Sequence, residues 1–310
     1  MRIIFFGTPD FAIPSLNALI ESGEDVVYVV TQPDRAKGRG HRLSQPAVKE
    51  FALSMGIPVM QPAGIKSPDF YERLLKLKPD VIVVVAYGKI VPLSVLQLPP
   101  SGCINVHASL LPKYRGAAPI QWAIIKGETK TGITTMMMDE GLDTGDILLA
   151  GKTEIKDEDN ALTLGKRLSE MGASLLIKTL EGIKDNSIKP VPQTGGASYA
   201  PPLKKDDGRI NWSLSSREIY NLIRGAYPWP GAYCYFNKER INIIRAEAAG
   251  LNDEVVPGKT EKISDDGIYV GTGNGILAIL EVKPEGKKNM SALAFVNGRH
   301  LKKGIYFDPQ

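Results

Sequence analysis

Asp80-Val81-Ile82-Val83-Val84-Val85-Ala86 is the stretch whose reading decides the fold. A near-continuous Val/Ile run of this length is a strand buried on both faces, as in a parallel sheet covered by helices. Working toward the start of the chain, Pro68 to Leu77 reads as a helix and Ile57 to Met60 as a short strand. Gln45 to Met55 reads as a helix, and Asp25 to Val30 and Arg2 to Phe6 as strands. Thr8-Pro9-Asp10 has the pattern of a helix start, with Thr8 as its cap. Toward the other end, Gly102 to His107 is a strand and Pro119 opens a helix holding Gln121 and Trp122. Thr131 to Met138 and Asp146 to Ile155 are further strands, and Asn160 to Glu181 is a long amphipathic helix. The alternation predicts a doubly wound α/β domain with a parallel-rich sheet, whose ligands sit outside the carboxyl ends of the strands.

After residue 183 the texture changes. Lys184 to Asp207 carries Pro190, Pro192, Gly195, Gly196, Pro201 and Pro202 without periodicity and reads as an extended connection. Ser213 to Gly225 follows as a helix. Short strands come next at Ala232–Phe236, Ile241–Ala246, Gly267–Val270 and Ile276–Val282, a pattern that suggests a small barrel. The expected organisation is therefore a first domain over residues 1–188, a linker over 189–206 and a second domain over 207–310. A length of 310 residues suits two domains.

Composition narrows the class. Apolar residues make up 43% and charged residues 23%, which argues against disorder. No apolar run approaches the roughly 20 residues of a membrane helix. The opening apolar run is too short for a signal peptide, so a cytoplasmic protein without a membrane partner is expected. Cys103 and Cys234 form no CxxC, and the only histidines are His41, His107 and His300. Neither pattern suits a metal site, and metal-independent chemistry is expected. The net charge of +4 permits a polyanionic partner without demanding one.

One polar constellation stands out. Asn105 and His107 lie two apart at the end of a strand, so both side chains point to one side. An amide and an imidazole there can converge on one carbonyl oxygen as the donors an oxyanion needs. Ser109-Leu110-Leu111-Pro112 then turns sharply, a suitable wall for a flat ligand. Asp139-Glu140-Gly141-Leu142-Asp143-Thr144-Gly145-Asp146 is a Gly-bounded acidic loop, from which Asp143 is expected to reach His107 at the sheet end. A carboxylate beside an imidazole favours the imidazolium.

Three longer stretches carry a resemblance. FGTPDFA from Phe6, GCINVHASLLPKYRGAAPIQWAI from Gly102 and GLDTGDIL from Gly141 are similar to the 10-formyltetrahydrofolate-dependent formyltransferases. GTPDFA, Thr31-Gln32-Pro33-Asp34-Arg35 and Gly-Ala-Ala-Pro-Ile point to the branch that acts on methionyl-tRNA. The resemblance runs on through Asn211-Trp212 and Tyr227-Pro228-Trp229-Pro230. It implies a Rossmann-like formyltransferase domain and a C-terminal OB-like β-barrel domain that binds tRNA. It also implies 10-formyltetrahydrofolate as formyl donor and initiator methionyl-tRNA as acceptor. The family's catalytic trio falls on Asn105, His107 and Asp143. Its folate contacts fall on Ser109, Leu110, Leu111 and Pro112, with Ala86, Tyr87, Gly88 and Ile90 lining the pterin pocket. A monomer is expected.

The stretch from Pro33 to Leu43 places Arg35, Lys37, Arg39, His41 and Arg42 around Gly38 and Gly40. No apolar period supports structure there, so it reads as a flexible basic loop with cations for phosphates. The resemblance places it at the acceptor stem, with Arg42 the preferred contact and Arg35, Lys37 and Arg39 beside it. In the second domain Lys204, Lys205, Arg209, Arg240, Arg245, Lys287 and Lys288 are candidate backbone contacts. The rival readings are a formyltransferase acting on an amino sugar nucleotide or glycinamide ribonucleotide, a dinucleotide-dependent oxidoreductase, and a non-catalytic RNA-binding protein. Gly7-Thr8-Pro9-Asp10 lacks the GxGxxG an oxidoreductase would use.

Overall fold

The computed structural model describes residues 1–37, 42–250 and 254–308. The chain divides into two compact units. One comprises residues 1–119, 130–154 and 165–201, the other residues 120–129, 155–164 and 202–310.

The first unit is built on seven strands in one sheet. These are β1 (Arg2–Gly7), β2 (Asp25–Val30), β5 (Val59–Met60), β6 (Val81–Val85), β7 (Cys103–His107), β8 (Lys130–Met137) and β9 (Ile147–Glu154), and a separate ribbon pairs β3 (Arg35–Lys37) with β4 (Arg42–Ser44). The order across the sheet is β5-β2-β1-β6-β7-β8-β9. The first five run parallel; at one edge β8 runs antiparallel to β7 and β9 antiparallel to β8. All five residues of β6 are buried, as its composition requires of a strand between β1 and β7. Its alternate residues divide between the faces: Ile82 and Val84 join Ile4, Phe6, Phe70 and Leu74 in one apolar cluster.

The helices of this part of the chain are α1 (Ile13–Glu21), α2 (Ala47–Ser54), α3 (Pro68–Leu77), α4 (Leu93–Leu96), α5 (Pro119–Ile125) and α6 (Ala161–Lys184). The start of α3 follows its sequence. Ser67 Oγ accepts the Phe70 amide, Pro68 occupies the first turn, and Lys78 closes the helix in the left-handed region. Thr8 departs from its expected role. The first turn after β1 is a 3-10 turn over Asp10–Ala12 with no side-chain cap, and the Thr8 hydroxyl donates instead to the Tyr87 carbonyl at 3.0 Å. Gln32 Nε2 donates to the same carbonyl at 3.2 Å, so the ends of β1, β2 and β6 are tied at one oxygen. Gly7 is required there, because a Cβ would lie 2.9 Å from Ala12 Cβ and 3.2 Å from the Val85 carbonyl. The sheet order reverses direction between β1 and β6, the crevice where open α/β sheets bind ligands.

The second unit contains α7 (Ser216–Gly225), β10 (Tyr233–Phe236), β11 (Glu239–Ala248), β12 (Thr260–Ser264), β13 (Gly267–Gly271), β14 (Ile276–Pro284), β15 (Met290–Ser291) and α8 (Ala292–Arg299). The strands form an antiparallel sheet in the order β10-β11-β14-β13-β12, with β15 on β14. Ile219, Ile223, Ile241, Ile279 and Phe295 share one core there. A capping box between Ser215 and Glu218 starts α7. Among the described residues no helix is long and apolar enough to cross a membrane.

Candidate active site

Asn105 and His107 leave β7 on the same side, as the strand period dictates. The Asp143 carboxylate meets both. Asn105 Nδ2 donates to Asp143 Oδ1 at 3.3 Å, and His107 Nδ1 stands 3.6 Å from Asp143 Oδ2. The Gly116 amide donates to Asp143 Oδ2 at 2.7 Å. His107 Nε2 lies 2.9 Å from the Tyr114 carbonyl, which only accepts, so that ring nitrogen carries a proton. The imidazole is 6% exposed and the Asp143 side chain 14%, so the group is screened from bulk water.

The acidic loop reaches this point by an unexpected route. Ile104 pairs with Met137, so β8 ends beside the start of β7 rather than beside His107. The loop over residues 138–146 therefore doubles back along β7 to bring Asp143 to Asn105 and His107. Asp143 itself adopts a left-handed backbone with φ +53°, a conformation Asp tolerates better than most residues. Gln193 Nε2 donates to both the Asp143 and the Gly145 carbonyls at 2.8 Å. Arg115 in turn holds Gln193 Oε1 through Nη2 at 2.6 Å and Nε at 3.1 Å.

The turn after β7 is held from β8. Thr134 Oγ1 donates to the Ser109 carbonyl at 2.7 Å and accepts the Leu111 amide at 3.2 Å. The Ser109 hydroxyl turns inward to the Lys113 carbonyl at 2.6 Å, so this expected folate contact spends its side chain on the turn itself. Leu111 is buried and Leu110 half-buried, and the Leu111–Pro112 peptide is cis.

The register Val84 against Asn105 sets Ala86, just beyond β6, alongside the end of β7. Ala86 and Gly88 both have positive φ. The Tyr87 ring packs into the core against Phe6 at 5.1 Å rather than lining an open wall. Its hydroxyl is buried with no hydrogen-bond partner among the described residues, and burial pushes its pKa up to about 12. Ile90 is 79% exposed.

The two flanks of the basic stretch pair as strands, which its sequence did not announce. Arg35 pairs with Ser44, Ala36 with Leu43 and Lys37 with Arg42. Arg35 is exposed, with Nη2 3.4 Å from Gln32 Oε1. Arg39 lies outside the described residues.

Models of two domains match the chain: "Formyl transferase" over residues 1–180, and "Formyl transferase, C-terminal domain" over residues 202–300. The chain belongs to the formyl transferase family. Relatives of this formyltransferase include the methionyl-tRNA formyltransferase of Thermodesulfovibrio yellowstonii, 54% identical over 98% of this chain and 97% of that one. The methionyl-tRNA formyltransferase of Pelotomaculum thermopropionicum is 51% identical over 98% of each. Two solved structures share the fold at lower identity. The N-formyltransferase of Helicobacter canadensis, crystallised with folinic acid and dTDP-3-aminofucose, aligns with a TM-score of 0.68 at 22% identity, over 90% of this chain and 99% of that one. The methionyl-tRNA formyltransferase of Clostridium thermocellum aligns with a TM-score of 0.56 at 19% identity, over 80% and 94%.

Of the side chains singled out from the sequence of this formyltransferase, Asn105, His107 and Asp143 converge. What sequence reading missed are the groups around them: the Tyr114 carbonyl, the Gly116 amide and Gln193. Main-chain donors and acceptors carry no residue signature. Gln193 lies in a stretch read only as a connection.

Proposed function

We propose that this formyltransferase moves the formyl group of 10-formyltetrahydrofolate to the α-amino group of methionine on initiator tRNA. The convergence of Asn105, His107 and Asp143 carries the reading of the chemistry, with relatives of that name at about half identity supporting the acceptor. Asn105, His107 and Asp143 are the proposed catalytic residues. The folate lies against Ala86–Ile90 and Ser109–Pro112. The exposed Ile90 just beyond β6 offers apolar surface to a flat ligand. Residues 1–188 carry the chemistry. Residues 207–310, joined through 189–206, bind tRNA as an OB-like domain, with the β3–β4 ribbon at the acceptor stem. The reaction belongs in the cytoplasm with its tRNA.

The neutral amine attacks the formyl carbon, a C–N bond forms, and the carbonyl oxygen becomes an oxyanion. Asn105 gives one amide hydrogen to Asp143 and keeps a second for that oxyanion. His107 spends its Nε2 proton on Tyr114, so it acts through Nδ1, on the side it shares with Asp143. The 3.6 Å gap there is too long for a direct hydrogen bond. The proton shed by the amine passes to this pair and from it to N10 of the folate, as the C–N10 bond breaks and the carbonyl re-forms.

The deciding assay is transfer of labelled formyl from 10-formyltetrahydrofolate to charged initiator tRNA, with charged elongator methionine tRNA alongside. Efficient labelling of the initiator is the expected result. Labelling of an amino sugar nucleotide or of glycinamide ribonucleotide in its place would overturn the assignment.

A further inference from the structure

We infer that the segment from Gln193 to Ala200 is a strap that positions Asp143 and His107, with Gln193 as its key residue and Arg115 as its anchor; the inference rests on the catalytic reading above. The two hydrogens of the Gln193 amide are fixed in one plane, and they bridge the carbonyls of Asp143 and Gly145. That bridge defines the turn in which Asp143 holds φ +53°. The other end of the same amide takes two donors from Arg115.

The far end of the strap sets the opposite side of the imidazole. Ser198 Oγ accepts the Tyr114 amide at 2.9 Å and the Ser198 carbonyl accepts the Arg115 amide at 2.8 Å. The Ala200 amide closes the ladder on the Arg115 carbonyl at 2.7 Å. Tyr114 is thereby held at φ +59°, which presents its carbonyl to His107 Nε2. One segment thus fixes both the carboxylate that faces Nδ1 and the carbonyl that faces Nε2.

The strap contributes little by burial. Residues 194–197 are exposed and Tyr199 is 63% exposed. What it contributes is hydrogen-bond geometry at two backbone carbonyls, and misplacement on the scale of 1 Å costs about 100-fold in rate. Gln193 touches none of the reacting atoms in this scheme, so it is a positioning residue.

The test compares Gln193→Ala with Gln193→Glu in the full chain. The carboxylate of Gln193→Glu still receives Arg115 but offers no N–H to the loop. Both variants are expected to lose about 10- to 100-fold in single-turnover formyl transfer. KM for tRNA and the melting temperature should change little. With three histidines in the chain, the imidazole 15N resonances of His107 can be assigned with His107→Gln and should shift in both variants. Near-normal transfer by Gln193→Glu, or a defect confined to KM for tRNA, would overturn the strap. Asp143→Asn is run in parallel. If Asp143→Asn is fully active, the catalytic reading itself fails; if it is inactive while Gln193→Glu is normal, the strap alone fails.

Discussion

The Asp143 carboxylate has no Lys or Arg salt-bridge partner among the described residues and accepts instead from the Gly116 and Asn105 amides, with His107 Nδ1 3.6 Å away. Replacing it by Asn keeps the shape and removes the charge that the Nδ1 side of the imidazole faces. Asp143→Asn should therefore lower single-turnover transfer by about two to three powers of ten, and Asn105→Ala, which removes an oxyanion donor, by a similar amount. Circular dichroism and tRNA binding should be unchanged in both; transfer within tenfold of normal would remove these residues from the chemistry. A second residue-scale prediction concerns Asp308 in the other unit. Burial raises its pKa, against weaker lowering by the Tyr235 amide, Arg209 and Trp212. A carboxyl whose folded pKa is raised contributes stability that is full below its unfolded value and lost as pH rises through the folded value. The melting temperature of Asp308→Asn, relative to the parent, should hence become more favourable as pH rises from about 3.5 to 7. A pH-independent difference would contradict this. At this scale the sequence was legible where chemistry sits in side chains at a strand's period of two, as with Asn105 and His107. It was opaque where chemistry sits in backbone atoms, as with Tyr114 and Gly116.

Among the elements, the strands with a strong apolar pattern were readable and those held by main-chain pairing alone were not. Asp80–Ala86 announced β6, and Pro68–Leu77 gave α3 residue for residue, because Val/Ile density and the Ser67-Pro68 start are local signals. The β3–β4 ribbon has no such signal: Arg, Lys and Ser make up two of its three pairs, and register comes from the ladder itself. β12, with the sequence Thr-Glu-Lys-Ile-Ser, was missed at the sheet edge for the same reason. In α8 the Asn297-Gly298 pair lowers helix propensity enough to hide the element. Strand pairing fixes the backbone that carries Arg35. If that backbone meets the acceptor stem, Arg35→Ala should weaken tRNA binding without changing the fold and reduce the slope of log affinity against log salt by about 1. Filter binding or anisotropy across a salt series measures it; an unchanged slope would place Arg35 away from phosphate.

Across the whole molecule, linear order and spatial order disagree. A reading along the chain assigns everything before the Pro- and Gly-rich connection to one domain, yet residues 120–129 and 155–164 belong to the second unit. Arg224 shows why the second of these segments is committed there. Its buried guanidinium donates through Nη1 to the carbonyls of Lys156, Asp157 and Asp159, and through Nε and Nη2 to Asn221 Oδ1. Arg217 pairs with the Asp157 carboxylate, and the Tyr220 hydroxyl donates to the Asp157 carbonyl at 2.7 Å. Ile125 packs against the Ile219–Phe295 core. Nothing in the sequence around Lys156 predicts a partner more than sixty residues away, since the acceptors are again main-chain oxygens. Cutting the chain at residue 206 removes Arg224, Arg217, Tyr220 and that core together, and strands the carbonyls and the apolar face of α5 in water. Arg224→Ala alone leaves three carbonyls and Asn221 short of a donor, a cost on the order of 3 kcal/mol. The 1–206 fragment should therefore melt well below the full chain and self-associate on size-exclusion chromatography, and Arg224→Ala in the full chain should melt several degrees lower with its KM for folate unchanged. A monomeric 1–206 fragment with the parent's melting temperature would mean that the two segments are stable without the second unit, and that the division of the chain follows its linear order after all.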